Sequence, residues 1–347
     1  MAATSRPWGR YVIVSFAVLI VLLTVGITAT IGWRPIIGPK RRATDSRVYQ
    51  ATPERLKRGE YLVNNVSLCF GCHTHFDAKG KDIPEFTTTP GAGNLFIEQG
   101  EFKVVAHNLT PDPEFGLGRW TDDEIGRAIR EGISRDGHAL LPAMPYKLFH
   151  NMSDEDLASI IVYLRSRPAV HNNPGTTSLP FMLRHMINNA PEPITAAVTA
   201  PPVTDKLAYG RYLMHGVADC QGCHTPMNEH MQPMPDYFLA GGNVFAESGT
   251  PVASANITPD DSGIGYYNEA TFVETMRTGK VRARKLNAMM PWWAFRNMSD
   301  DDLTAIYAYL RTIKPVKHRV DNNEQRTLCP IDGQKHGLGK DNAAPAS

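Results

Sequence analysis

The chain has 347 residues, room for two or three domains, and its 36 basic and 35 acidic side chains leave a formal net charge of +1. A balance this close to neutral leaves no electrostatic footprint for nucleic acid, so nucleic-acid binding is excluded as the main role. With 42% apolar and only 9% aromatic residues, the composition suits small domains.

From Tyr11 to Trp33 the chain runs 23 residues without a charge, YVIVSFAVLIVLLTVGITATIGW. At about 1.5 Å per helical residue that length crosses a bilayer core, so residues 11–33 are predicted to form one transmembrane anchor. A cleaved signal peptide is the competing reading, although its apolar region is usually shorter and no clear A-x-A-like site follows. Arg6 and Arg10 precede the span while Arg34, Lys40, Arg41 and Arg42 follow it, so charge count alone would keep the downstream side in the cytoplasm. The Lys40 to Arg42 run reads as a solvated juxtamembrane segment or as one lying against anionic headgroups.

Two copies of C-x-x-C-H come next, Cys69-Phe-Gly-Cys72-His73 and Cys220-Gln-Gly-Cys223-His224. This pentapeptide reads as a covalent c-type haem attachment site. Thiols three residues apart lie on one face of a helical turn, where both reach the two vinyl groups of a porphyrin, and the histidine that follows meets the iron. A bare C-x-x-C also suits a redox dithiol or half of a zinc site, but neither needs His at the next position nor the whole unit twice. Cys69, Cys72, Cys220 and Cys223 are therefore expected to bind two haem c groups, with His73 and His224 as iron ligands. Cys329 is left alone, so no intramolecular disulfide is available and it reads as an unassigned thiol.

The flanks of the two motifs repeat. Arg55-Leu-Lys-Arg-Gly59-Glu-Tyr61-Leu62 matches Lys206-Leu-Ala-Tyr-Gly210-Arg-Tyr212-Leu213 at a displacement of 151 positions, Asn108-Leu-Thr110-Pro-Asp112 matches Asn256-Ile-Thr258-Pro-Asp260 at 148, and Asn151-Met-Ser-Asp154 matches Asn297-Met-Ser-Asp300 at 146. The shrinking offset is that of two copies of one unit with shortened loops. The copies are placed at 51–172 and 204–320, joined by a Pro-rich connection over 173–203 whose middle, Leu179-Pro-Phe-Met-Leu, is apolar enough to pack across the junction. Residues 321–347 are polar and read as a loosely held tail.

Each copy reads as mainly helical, with few convincing strands. Gly59 and Gly210 occupy matching places where close approach to another backbone would favour a residue without Cβ. Ser153 with Asp156, and Ser299 with Asp302, form an N-cap and an acidic N3. Leu157, Ile160, Ile161 and Leu164, and likewise Leu303, Ile306, Tyr307 and Leu310, then make i, i+3, i+4, i+7 stripes. Met152 and Met298 precede these caps, where each can staple against a leucine five positions on.

A helix before the attachment motif and a helix at the end, enclosing a loop-like middle, resembles the cytochrome c family over residues 51–320. The fold class expected is mainly α, with two tandem cytochrome c-like haem domains after an N-terminal transmembrane helix. The resemblance implies that first and last helices cross above the porphyrin and that a methionine before the last helix supplies the sixth iron ligand. Met144 in Leu141-Pro-Ala-Met-Pro-Tyr146 and Met290 in Asn287-Ala-Met-Met-Pro-Trp292 occupy that place, each held extended by the proline that follows; adjacent Met289 is the alternative in the second copy. His75, His107, His138, His150 and His215 have no counterpart in the other copy and read as ordinary histidines. Asn108 and Asn256 sit in turns, and resemblance to two- and three-haem cytochrome subunits implies a place near haem propionates, with a purely turn-forming role as the other reading.

The same resemblance implies attachment of haem on the outer face, which overrides the charge count: an inner-membrane anchor with its haem domains periplasmic. His/Met ligation favours ferrous haem and suits single-electron transfer. The expected role is electron relay between a dehydrogenase or quinol-oxidising partner and an oxidase or soluble carrier. The WTDDEIGRAIREG and MPY segments are similar to cytochrome subunits of membrane-bound alcohol and gluconate dehydrogenases, which typically carry three haem domains where this chain has two motifs. A catalytic two-haem enzyme such as a cytochrome c peroxidase is the alternative, countered by a methionine at the matched place in both copies. A sensory haem protein is a third, for which no signalling segment is present.

Overall fold

The computed structural model describes residues 8–77, 81, 83–229, 232–246 and 251–343. The protein is mainly helical, 39% helix, with one apolar helix near the N-terminus. That helix, α1 (Trp8–Ala29), has 22 residues and buries none of them in the protein. It stops short of Trp33 because Gly32, at φ 71°, turns the chain into a helical turn Arg34–Ile37.

The following helices recur in order. α2 (Pro53–Tyr61), α3 (Asp122–Glu131) and α4 (Asp154–Ser166) are matched by α5 (Lys206–Tyr212), α6 (Glu269–Thr278) and α7 (Asp300–Leu310). α2 packs on α4, and α5 on α7. Gly59 and Gly210 are where these pairs cross: a Cβ on either would lie 2.0 Å from the carbonyl oxygen of Ser159 or Ala305. The expected close approach is thus present in both halves. Ser153 caps α4 and Ser299 caps α7, each side chain accepting from the amide of the expected aspartate, at 3.1 Å. Met152 and Met298 lie buried in the same core as Leu157 and Leu303.

A contiguous cluster of buried apolar residues runs through both halves, from Leu62, Val63 and Phe70 to Tyr209, Leu213, Leu303 and Leu310. The turn Tyr146–Phe149 packs on the π-turn Leu213–Val217, and the turn Trp292–Phe295 packs on the matching π-turn Leu62–Val66. The contact between halves is therefore reciprocal, as in a two-fold interface.

Four features differ from the sequence-based expectations. A hairpin, β1 (Asn94–Gln99) with β2 (Phe102–Ala106), lies in the loop-like middle of the first half. Its residues did not stand out because both faces are partly exposed and the alternation is weak. The apolar middle of the connection does not pack across the junction: Phe181 and Met182 are 67% and 65% exposed, and their helix Phe181–Met186 rests on Arg34–Ile37 below the anchor. The Lys40 to Arg42 run is not simply solvated. Arg42 pairs with buried Asp123 at 2.6 Å and buried Glu131 at 2.8 Å, and Lys40 with Glu192 at 2.7 Å. Finally, the segment beyond Val320 is not loose through residue 343. It forms a hairpin of its own, β3 (Arg326–Leu328) with β4 (Lys335–Gly337), and buries Cys329 completely; the last four residues of the chain lie outside the described residues.

Candidate cofactor sites

Each C-x-x-C-H unit begins a short helical turn, Cys69–Cys72 and Cys220–His224, after a π-turn and a two-residue link. The entry differs: Leu68 adopts a left-handed conformation at φ 53° before the first, whereas Asp219 caps the second by accepting from Gly222 N at 3.0 Å. One helical turn keeps both thiols of each pair on a common side, and none is engaged in a disulfide. Burial pushes the Cys69 and Cys220 thiols up to about 12. A redox dithiol needs the opposite shift, so this environment counts against the dithiol alternative.

The two histidines are held alike. His73 Nδ1 donates to the carbonyl of His107 at 2.6 Å, and His224 Nδ1 donates to the carbonyl of Ala255 at 2.7 Å. A carbonyl can only accept, so the proton sits on Nδ1 and the Nε2 lone pair is free for a metal. Burial lowers His73 to about 4 and lowers His224 as well, against the opposing effect of those hydrogen bonds, so both rings are neutral at pH 7.

The residues after the two acceptor carbonyls are Asn108 and Asn256, whose amides are fully employed within the protein. Asn108 Oδ1 accepts from the amide and hydroxyl of Thr110, and its Nδ2 donates to the carbonyls of Val170 and Asn172. Asn256 repeats this with Thr258, Val316 and His318. Each asparagine thus ties the segment following the last helix to the strand of chain that orients the histidine.

Met144 and Met290 occupy equivalent turns. Met144 N donates to Leu141 O at 3.1 Å and Met144 O accepts from Tyr146; Met290 N donates to Asn287 O at 3.0 Å and Met290 O accepts from Trp292. Both side chains are half-buried. The amide of Met289 is engaged by Asn287 Oδ1 at 2.9 Å, a contact Met290 does not share. His75, His138, His150 and His215 each have a protein partner on one ring nitrogen, and His107 contributes its main-chain carbonyl.

Two further residues were hidden from the sequence pattern because the repeat changes their type. Tyr146 and Trp292 stand at matched positions two residues after the methionines, beneath Gly132 and Gly279, where a Cβ would strike their rings. Both glycines also hold left-handed φ, 68° and 66°, at the C-caps of α3 and α6. Tyr146 Oη and Trp292 Nε1 are buried without a hydrogen-bond partner among the described residues. Orphan donors in both halves, next to the methionine turns, fit a group that brings its own acceptors, such as the carboxylates of a porphyrin.

Paired C-x-x-C-H turns, neutral histidines with a free Nε2 and a mainly helical frame are the marks of c-type cytochromes. No family model matches the chain. It is 31% identical over 299 residues to the cytochrome c subunit of alcohol dehydrogenase (quinone) from Gluconobacter oxydans, covering 82% of this chain and 58% of that subunit. It is 29% identical over 283 residues to the gluconate 2-dehydrogenase cytochrome c subunit of Pantoea cypripedii, covering 76% and 60%. It is 26% identical over 285 residues to a dihaem c-type cytochrome of Cereibacter sphaeroides, covering 79% of this chain and 91% of that protein. The chain is thus a homologue of the cytochrome c subunits of dehydrogenases and of a dihaem cytochrome c, and it spans about three fifths of the length of those two dehydrogenase subunits. This kinship supports electron transfer by a cytochrome with covalently bound haem c.

Proposed function

We propose that the chain is a membrane-anchored dihaem c-type cytochrome that relays single electrons. In this reading residues 51–172 and 204–320 are tandem cytochrome c-like domains; Cys69 with Cys72, and Cys220 with Cys223, hold two haem c groups; His73 and Met144 ligate one iron, and His224 and Met290 the other. Bound haem would supply the one-electron couple. The chain's own residues would fix ring orientation, exclude water and set the potential. The observation that carries the reading is the matched Nδ1 hydrogen bond of His73 and His224, which leaves the same nitrogen free beside each thiol pair. Asn108 and Asn256 would act by holding those acceptor carbonyls in place, and Tyr146 and Trp292 as donors to haem carboxylates.

α1 would anchor the chain in the inner membrane with both haem domains periplasmic. Exposed Ile36, Ile37, Phe181 and Met182, grouped where the anchor leaves the bilayer, support a seat on the membrane surface. A dehydrogenase is the proposed donor and an oxidase or soluble cytochrome the proposed acceptor. The test is to purify the detergent-extracted protein and measure haem per chain together with what co-purifies. Two covalent haems and a dehydrogenase subunit are expected; a single haem, or absence of covalent haem, would refute the reading.

A further inference from the structure

Four side chains unconnected with either C-x-x-C-H unit converge in the second half. His318, which follows the last helix, meets Cys329, Asp332 and His336 from the C-terminal hairpin, and one ligand atom from each lies within 4.8 Å of all the others. His318, Cys329 and His336 are 0% exposed, and the Asp332 side chain is equally inaccessible. Cys329 Sγ stands 3.4 Å from His318 Nε2, and Asp332 Oδ2 stands 3.8 Å from His318 Nε2 and 3.6 Å from His336 Nε2. Tetrahedral zinc with ligand bonds of about 2.0–2.3 Å spaces its ligand atoms roughly 3.3–3.6 Å apart. The edges of 3.4, 3.6 and 3.8 Å lie at or slightly beyond that spacing, and the two between carboxylate and imidazole are too long for hydrogen bonds.

The groups around the cluster point each ligand atom inward. His318 Nδ1 donates to Ala240 O at 3.0 Å and His336 Nδ1 to Gly337 O at 3.1 Å, which leaves both Nε2 lone pairs facing the centre. Gln334 N donates to Asp332 Oδ1 at 2.9 Å, leaving Oδ2 free, and the amide of Ile331 approaches Cys329 Sγ at 3.4 Å as amides do around metal thiolates. Asp332 Oδ2 and His336 Nε2 are buried without a hydrogen-bond partner among the described residues. These two atoms face one another beside the Cys329–His318 pair in a fully buried pocket, an arrangement that is costly unless a cation lies between them. Gly242, at φ 108°, clears the space: a Cβ there would fall 2.2 Å from Asp332 Oδ2.

We propose that His318, Cys329, Asp332 and His336 bind one Zn²⁺ in a closed, structural site. Two imidazoles, one thiolate and one carboxylate give a four-coordinate set with no open position, whereas Ca²⁺ and Mg²⁺ take six or more oxygens. The ion rivets the C-terminal hairpin to His318, whose Nδ1 in turn bonds Ala240 O in the loop over 239–243. That loop reaches the second attachment motif, since Gly241 N donates to His224 O at 2.7 Å and Asn243 Nδ2 to Cys223 O at 2.9 Å.

The full chain, extracted in detergent and purified without chelator or histidine tag, is assayed for zinc against protein mass, independently of its iron. Stoichiometric zinc is expected, with a zinc-edge X-ray absorption spectrum showing one sulfur at about 2.3 Å and nitrogen or oxygen at about 2.0–2.1 Å. Cys329→Ser should lose most of the zinc. If that variant fails to accumulate, the native protein decides: Cys329 should resist maleimide until a zinc chelator is added and react afterwards. Native protein that lacks zinc and takes none up on titration, copper or iron in its place, zinc retained in Cys329→Ser, or Cys329 reactive before chelation would each overturn the site.

Discussion

The phenol of Tyr61 donates a hydrogen bond of 2.7 Å to Asp302 Oδ2, tying the end of α2 to the start of α7 in the other half. Tyr212, its repeat counterpart, returns the contact by donating at 2.6 Å to Asp156 Oδ2 at the start of α4. The amides of the two helix caps, Ser299 and Ser153, donate to the same phenol oxygens at 3.0 and 3.1 Å. A residue pair that closes each half also joins it to the other, so capping, core and interface share atoms.

The two tyrosines should not be equivalent. Arg58 holds Asp156 with both carboxylate oxygens, at 2.8 and 2.9 Å, whereas Tyr61 is the side chain bonded to Asp302 among the described residues. Losing a hydrogen bond to a buried charge costs about 1.5–3 kcal/mol. Tyr61→Phe should fall near the upper end and Tyr212→Phe near the lower, as read from denaturant midpoints; the reverse order would contradict this account of the interface.

The glycine crossings permit little. Gly59→Ala or Gly210→Ala pushes a methyl into a carbonyl and must separate two packed helices, at roughly 3 kcal/mol or more. Haem stain per chain in membrane fractions should drop sharply for both, while alanine at Gly9, which has open space around it, should leave it unchanged.

Arg42 joins the segment after the anchor to α3. Burial pushes the Asp123 carboxyl up, but the Arg42 side chain and the Asp45 amide outweigh it, and the net position is below the usual carboxylate range. A depressed carboxyl gives stability that is full above its unfolded value and lost as pH falls through the folded one. Glu131 shifts the other way, raised chiefly by burial, and offsets part of the gain. Arg42→Ala should cost about 2–3 kcal/mol at pH 7, less than a fully buried pair because Arg42 is partly exposed. The cost should shrink on acidification below about pH 4. A pH-independent loss in thermal unfolding would show that Arg42 acts by packing alone.

Tyr146→Phe and Trp292→Phe each remove one buried donor. Where that donor meets a haem carboxylate, its loss favours the ferric state and should lower the potential of the haem in its own half. The shift should be about 20–60 mV, from ~0.5–1.5 kcal/mol at 59 mV per 1.4 kcal/mol. Unchanged potentials would assign both donors to some other partner.

Local signals carried most of the site into the sequence. The C-x-x-C-H units, the serine caps, the glycine crossings and the Met-Pro turns all repeat, and repetition marks a position without knowledge of its contacts. What escaped depends on distant partners or on changed residue types. Arg42 meets Asp123 across 81 positions. Cys329 meets a histidine eleven residues back and an aspartate and a histidine in the same hairpin, a set with no equivalent among the described residues of the first half. Tyr146 and Trp292 share a place but not a chemistry, so the alignment hides them. Asn108 and Asn256 were visible as residues, yet their work, holding the carbonyl that orients a histidine, is legible only in three dimensions.

Iron ligation tests the central claim most directly, through a potentiometric titration of the purified protein followed by optical and electron paramagnetic resonance spectra of the ferric form. Two one-electron steps and two low-spin, six-coordinate irons are predicted, with Met144→Ala lowering one potential and Met290→Ala the other. A high-spin or bis-histidine iron in the native protein, or a methionine variant that leaves both potentials in place, would contradict it.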